Sequence, residues 1–189
     1  MNNKSIKPVW IVVLLLIIII AVSSISSYNG MVVKQEKVES ASADIDTQLQ
    51  RRADLIPNLV NTVKGYMEHE SSIIDAITES RQKLVSAGTM EEKAAANDAL
   101  TQALSNFNLI VENYPDLKAN TTFVQLQDEL AGTENRIATA RRDYNEAVRS
   151  YNQAIKRIPG RFFASIFGFE PADYFTAKEG SEDAPEIQF

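Results

Sequence analysis

The chain has 189 residues, 44% of them hydrophobic, with no cysteine and a formal charge of −6. The charges before residue 29 are Lys4 and Lys7, so of the 19 Lys and Arg, 17 remain beyond it against 25 Asp and Glu, a balance of −8. A surface of that sign repels phosphate backbones, which excludes nucleic acid as the expected partner, and the lack of thiols excludes cysteine zinc sites and a lipidated-cysteine anchor.

Residues 9–28 read VWIVVLLLIIIIAVSSISSY, and Val9 to Val22 is an unbroken apolar run. About 20 helical residues cross a hydrocarbon core roughly 30 Å thick. Trp10 and Tyr28 stand near the two ends, where amphipathic rings favour the headgroup layer. The expectation is a basic flank at 1–8 followed by one transmembrane anchor at 9–28. A cleaved signal peptide is the alternative, but its apolar core is usually about 7–15 residues and ends near an Ala-x-Ala-like site, which is lacking here. Lys4 and Lys7 before the run nearly balance Lys34 and Lys37 after it. The free amino terminus tips the positive-inside comparison toward a cytoplasmic N-terminus, with the domain outside the cytoplasm.

Beyond the anchor, Ala, Glu, Gln and Leu dominate and the apolar spacing is helical throughout. Pro57 costs about 3 kcal/mol inside a helix but is tolerated in a first turn, so it marks a break. Ala87-Gly88 before Thr89-Met90-Glu91-Glu92 joins a glycine stop to a capping box. Tyr114-Pro115 ends the next helix, Thr122 with Gln125 offers a second capping box, and Pro159-Gly160 closes the last. The predicted helices are 30–55, 58–86, 90–113 and 121–158. Were Pro57 only a kink, the first two would fuse into a rod near 85 Å with no partner of that length, at about 1.5 Å per residue.

Each helix carries an apolar stripe. Val38, Ile45, Leu49 and Ile56 mark the first; Val60, Val63, Met67, Ile74, Ile77 and Leu84 the second; Leu100, Leu104, Phe107, Val111 and Tyr114 the third. In the last, Phe123, Leu130, Ile137, Tyr144, Tyr151 and Ile158 form a heptad, with Leu126, Thr133, Ala140, Ala147 and Ala154 between them. Four such stripes with short connections predict an all-α chain: a transmembrane helix followed by an antiparallel four-helix bundle over 29–158. That topology returns the end of the last helix toward the bilayer, together with the aromatic segment PGRFFASIFGFEPADYF at 159–175. Phe162, Phe163, Phe167 and Phe169 in that segment either cap the bundle or meet a membrane or partner. Residues 176–189, mostly acidic, are expected to form a disordered tail.

No catalytic constellation emerges. His69-Glu70 begins like HExxH, but position 73 is isoleucine, and no Gly-rich phosphate loop is present. The expectation is no enzyme, no metal and no cofactor. Charged residues that interrupt the apolar stripes are more informative: Arg52, Glu70, Arg81, Glu134 and Arg141. A charge in a bundle core is costly unless paired, so these predict a core polar network with an interhelical Arg–Glu pair, or alternatively a pocket for an anionic group.

The chain resembles the LemA family. The resemblance rests on YNGMVV at 28–33, RRADLIPNLVNTVKGYMEHE at 51–70, ENYPDLKAN at 112–120 and LAGTENRIATARRDYNEAVRSYN at 130–152, followed by IPGRFFASIFGFEPADYF. It implies a bacterial membrane protein with a helical-bundle domain and no established activity, some of whose relatives are linked to magnetosome membrane formation; it supplies no catalytic residues. The expected role is a membrane-anchored, non-enzymatic interaction or scaffold module that meets other envelope proteins, with self-association into homo-oligomers belonging to the scaffold alternative. A membrane-shaping scaffold and an adaptor for a membrane protease or quality-control system are the alternatives.

Overall fold

The computed structural model describes residues 8–67 and 69–176, with side chains from Trp10 onward. Residues 1–7 of the flank and 177–189 of the tail expected to be disordered lie outside the described residues. Six helices follow in order: α1 Pro8–Val63, α2 Ser71–Ser86, α3 Met90–Val111, α4 Pro115–Lys118, α5 Thr121–Lys156 and α6 Gly160–Phe167. No strand occurs among the described residues.

The largest departure from the sequence reading is at Pro57, which lies inside α1 rather than at a break. The anchor, the first expected helix and the start of the second are one continuous run of 56 residues. Proline has no N–H to offer the carbonyl four residues back, that of Ala53. Here Arg81 of α2 takes its place, its Nε donating to the Ala53 carbonyl at 2.8 Å. Because Ala53 is only 1% exposed, water is a poor substitute for that donor.

The second expected helix is instead interrupted at 64–70, around Gly65. Tyr66 and Met67 both donate backbone N–H groups to the Val63 carbonyl, and Met67 is buried beneath the turn. At the next connection, Thr89 Oγ1 accepts from Glu92 N while Glu92 Oε2 accepts from Thr89 N, a complete capping box. Gly88 does not take the left-handed conformation expected of a glycine stop; its N–H also donates to Glu92, at 2.8 Å. These two backbone donors hold the Glu92 carboxyl below the usual carboxylate range. α5 is capped by Asn120, whose Oδ1 accepts from Phe123 N at 3.0 Å, rather than by the Thr122–Gln125 box. The proline at 115 opens the short α4 at its first position.

The chain forms two compact units. One joins the described residues up to Glu39 with Ala147–Ala172; the other joins Ser40–Glu146 with the residues from Asp173 onward. In the second unit the core comprises Ile45, Leu49, Ile56, Leu59 and Val63 of α1, Ile77 and Leu84 of α2, Leu100, Leu104, Phe107 and Val111 of α3, and Phe123, Leu130, Ile137 and Tyr144 of α5. Phe107 meets Phe123 edge-on at 6.2 Å. In the first unit, Met31, Val38, Val148, Tyr151, Ile155 and Ala164 are buried, and Lys34 Nζ donates to Ser150 Oγ at 2.6 Å. The large apolar side chains from Trp10 to Val22 are all exposed, with no side chain among the described residues covering them. Ile158, read as the last heptad position, is 77% exposed, because α5 ends at Lys156 before the heptad reaches it.

Candidate functional site

Arg52 is the most buried charge described, at 3% exposure. It falls on the inward stripe of α1, seven residues after Ile45 and seven before Leu59, so the helix period itself carries it into the core. Its Nη1 donates to Asn97 Oδ1 at 2.5 Å and to Thr101 Oγ1 at 3.0 Å, both on α3, and forms an ion pair with Glu134 of α5. Arg52 Nε is buried without a partner among the described residues. Burial pushes the guanidinium below its ordinary value, opposed by the charges of Glu134 and Asp98. An arginine starts so far above neutrality that it remains a cation, so the cluster is a fixed charge tying three helices together.

The other charged residues singled out from the sequence go elsewhere. Arg81 satisfies the backbone carbonyl of Ala53. Glu70 accepts from Tyr114 Oη at 3.1 Å. Arg141 is half-buried, and no hydrogen bond or ion pair joins it to the others among the described residues. The network is thus one cluster and two separate contacts rather than a continuous chain of charges. His69 is exposed, and no three His, Asp or Glu side chains converge as a metal site requires among the described residues. An open groove of about 380 Å³ borders Asp44, Gln48, Asn135, Thr139 and Asp143, without a nucleophile and base in juxtaposition.

At the aromatic end, Tyr28 meets the rings of Phe167 at 5.1 Å and Phe169 at 5.7 Å. Phe163 is half-buried with its ring 6.5 Å from that of Phe167, whereas Phe162 points outward at 64% exposure. Trp10 is exposed at the other end of the apolar run. Gly160 starts α6 in a tight place, since a Cβ there falls 2.2 Å from the Ala154 carbonyl oxygen. Gly168 ends it in the left-handed conformation, at φ 76°.

Sequence reasoning missed a set of residues that hold the extended segment after α6. In the first unit, Tyr151 Oη donates to the Glu170 carbonyl, and Asn152 both donates to the Ala172 carbonyl and accepts from its N–H. In the second, Tyr144 Oη donates to the Asp173 carbonyl, and Asn145 makes the same double bond pattern with Phe175. Burial, with the nearby acidic residue in each case, raises both phenols above the usual tyrosine range. A signal was there to find: Tyr-Asn occurs twice in α5, seven residues apart.

The model of the LemA family matches residues 41–189. A Paramagnetospirillum magneticum relative, magnetosome protein MamQ 2, is 30% identical over 85% of this chain and 68% of its own length. Magnetosome protein MamQ of Magnetospirillum gryphiswaldense is 27% identical over the same shares. Protein LemA of Metamycoplasma hominis is 29% identical over 67% of this chain and 58% of its own length. With the family match covering α1 from Ala41 through the aromatic end, the chain belongs to the LemA family.

Proposed function

We propose that the protein is a non-enzymatic interaction module of the bacterial cell envelope, held in the membrane by the apolar start of α1 and built as an antiparallel four-helix bundle over residues 29–158. The observation that carries the reading is the exposure of every large apolar side chain from Trp10 to Val22 on one continuous helix. Water is an unsuitable surrounding for such a run, and a bilayer is a suitable one. The bundle reading is supported by Asn120 at the start of α5, which donates to Tyr66 just past the end of α1 at 3.1 Å. The three-residue link between α2 and α3 also favours a reversal there. The orientation proposed is a cytoplasmic N-terminus, although Lys4 and Lys7 before the run nearly balance Lys34 and Lys37 after it.

Fractionation tests the anchor: the full chain should stay with membranes through high-salt washing and leave them in detergent. Release by salt alone would end the anchored reading. Cross-linking in native membranes tests the role. Discrete bands with other proteins are the expected outcome, and ladders of this chain alone would replace the interaction module with a self-associating scaffold.

A further inference from the structure

α6 is apolar on both sides. Ala164 is buried and Phe163 half-buried, whereas Phe162 and Ile166 on the other side are 64% and 73% exposed. Ile158, just ahead of the helix, adds a third exposed apolar side chain. Such a pair of exposed large apolar side chains on one helix face suits an apolar surrounding on its outer side as well. Two observations say what that surrounding is. First, Phe167 and Phe169 pack on Tyr28, within the same compact unit. Counting from Val9 at 1.5 Å per residue, Tyr28 stands about 30 Å along the helix, at the far interface of a bilayer that α1 spans. Second, Lys156, Arg157 and Arg161 are all exposed, and none carries an ion pair among the described residues. Three cations within six residues stand out in a chain whose part beyond the anchor has a balance of −8. Cations flanking exposed aromatic and branched side chains are the pattern of a segment lying in the headgroup layer.

We infer that α6 is a second membrane contact, an interfacial helix that inserts Phe162 and Ile166 into the leaflet from which α1 emerges, with Lys156, Arg157 and Arg161 at anionic headgroups. This rests on the reading of α1 as a membrane anchor. A protein partner on the same face is the competing occupant. It is less favoured because the contact with Tyr28 already sets α6 at the level where lipid begins.

The lack of cysteine in the chain makes the test direct. Single-cysteine variants Phe162→Cys, Ile166→Cys, Ile18→Cys and Val124→Cys of the full chain carry a nitroxide label in vesicles of phosphatidylethanolamine and phosphatidylglycerol. Collision with oxygen, which concentrates in lipid, is compared with collision with a water-soluble nickel chelate. Labels at 162 and 166 should shift toward oxygen like the label at 18, with 124 favouring nickel. Labels at 162 and 166 behaving like 124, while 18 favours oxygen, would overturn the interfacial helix and leave the anchor standing. Nickel preference at 18 as well would overturn both. Photo-cross-linking from position 166 in native membranes completes the test: capture of lipid supports the inference, and capture of one discrete protein overturns it. The labelled residues are exposed, so folding is not at issue.

Discussion

Arg52 combines near-complete burial with a charge that cannot be shed, so its neighbours must compensate it in place. Removing it with Arg52→Ala strands Asn97 in the core and leaves a void, while Glu134, with 40% of its side chain exposed, rehydrates. The expected loss is about 2 kcal/mol, roughly 5 °C in Tm for a chain of this size. Arg52→Met keeps the volume and should cost less; thermal melts of the two variants decide whether charge or packing dominates. Tyr144 and Tyr151 give a pH dependence of known sign. Both phenols are raised by burial, so the folded state favours their neutral form. Their contribution is complete below the unfolded tyrosine value near about pH 10 and is lost as pH rises through the higher folded values. Proteolysis within residues 169–176 should accelerate above that point, and a Tyr144→Phe, Tyr151→Phe chain should lack this alkaline step.

At the scale of the element, the continuity of α1 depends on a residue of another helix. The expected break at Pro57 follows correctly from the missing N–H, yet the orphaned Ala53 carbonyl finds Arg81 Nε. Arg81→Ala should cost about 1–2 kcal/mol, since it leaves a buried acceptor unpaired. In a Pro57→Ala background a backbone N–H returns to that carbonyl, and the cost should fall by about 1 kcal/mol. Denaturant melts of the four chains measure the coupling, and additivity would mean that the carbonyl has another donor. For α6 the controlling residue is Gly160, where any side chain meets the Ala154 carbonyl at 2.2 Å. Gly160→Ala should therefore displace α6, seen as faster hydrogen exchange across 160–167 with α3 unchanged. The heptad of α5 was legible because its period is local. Its end was legible to within two residues: Pro159-Gly160 closes the helix as expected, but α5 stops at Lys156 and leaves Ile158 outside it and exposed.

For the whole molecule, the distribution of charge and apolar surface along the chain underlies the proposed function. An uncharged run from Pro8 to Val33, a domain with a negative balance and a short basic stretch at 156–161 divide the sequence into parts suited to lipid, water and headgroups. Protease added outside intact cells should degrade the domain if the N-terminus is cytoplasmic; a protected domain would reverse that orientation. The sequence by itself determined the helical class, the apolar span, the capping box at Thr89 and the inward position of Arg52, because helix period, span length and capping depend on residues close together in the chain. Tertiary structure decided which donor rescues Pro57, which side chains meet Arg52, and that Phe167 and Phe169 return to Tyr28. Each of these joins residues far apart in sequence, and their spacing carries no record of the partner.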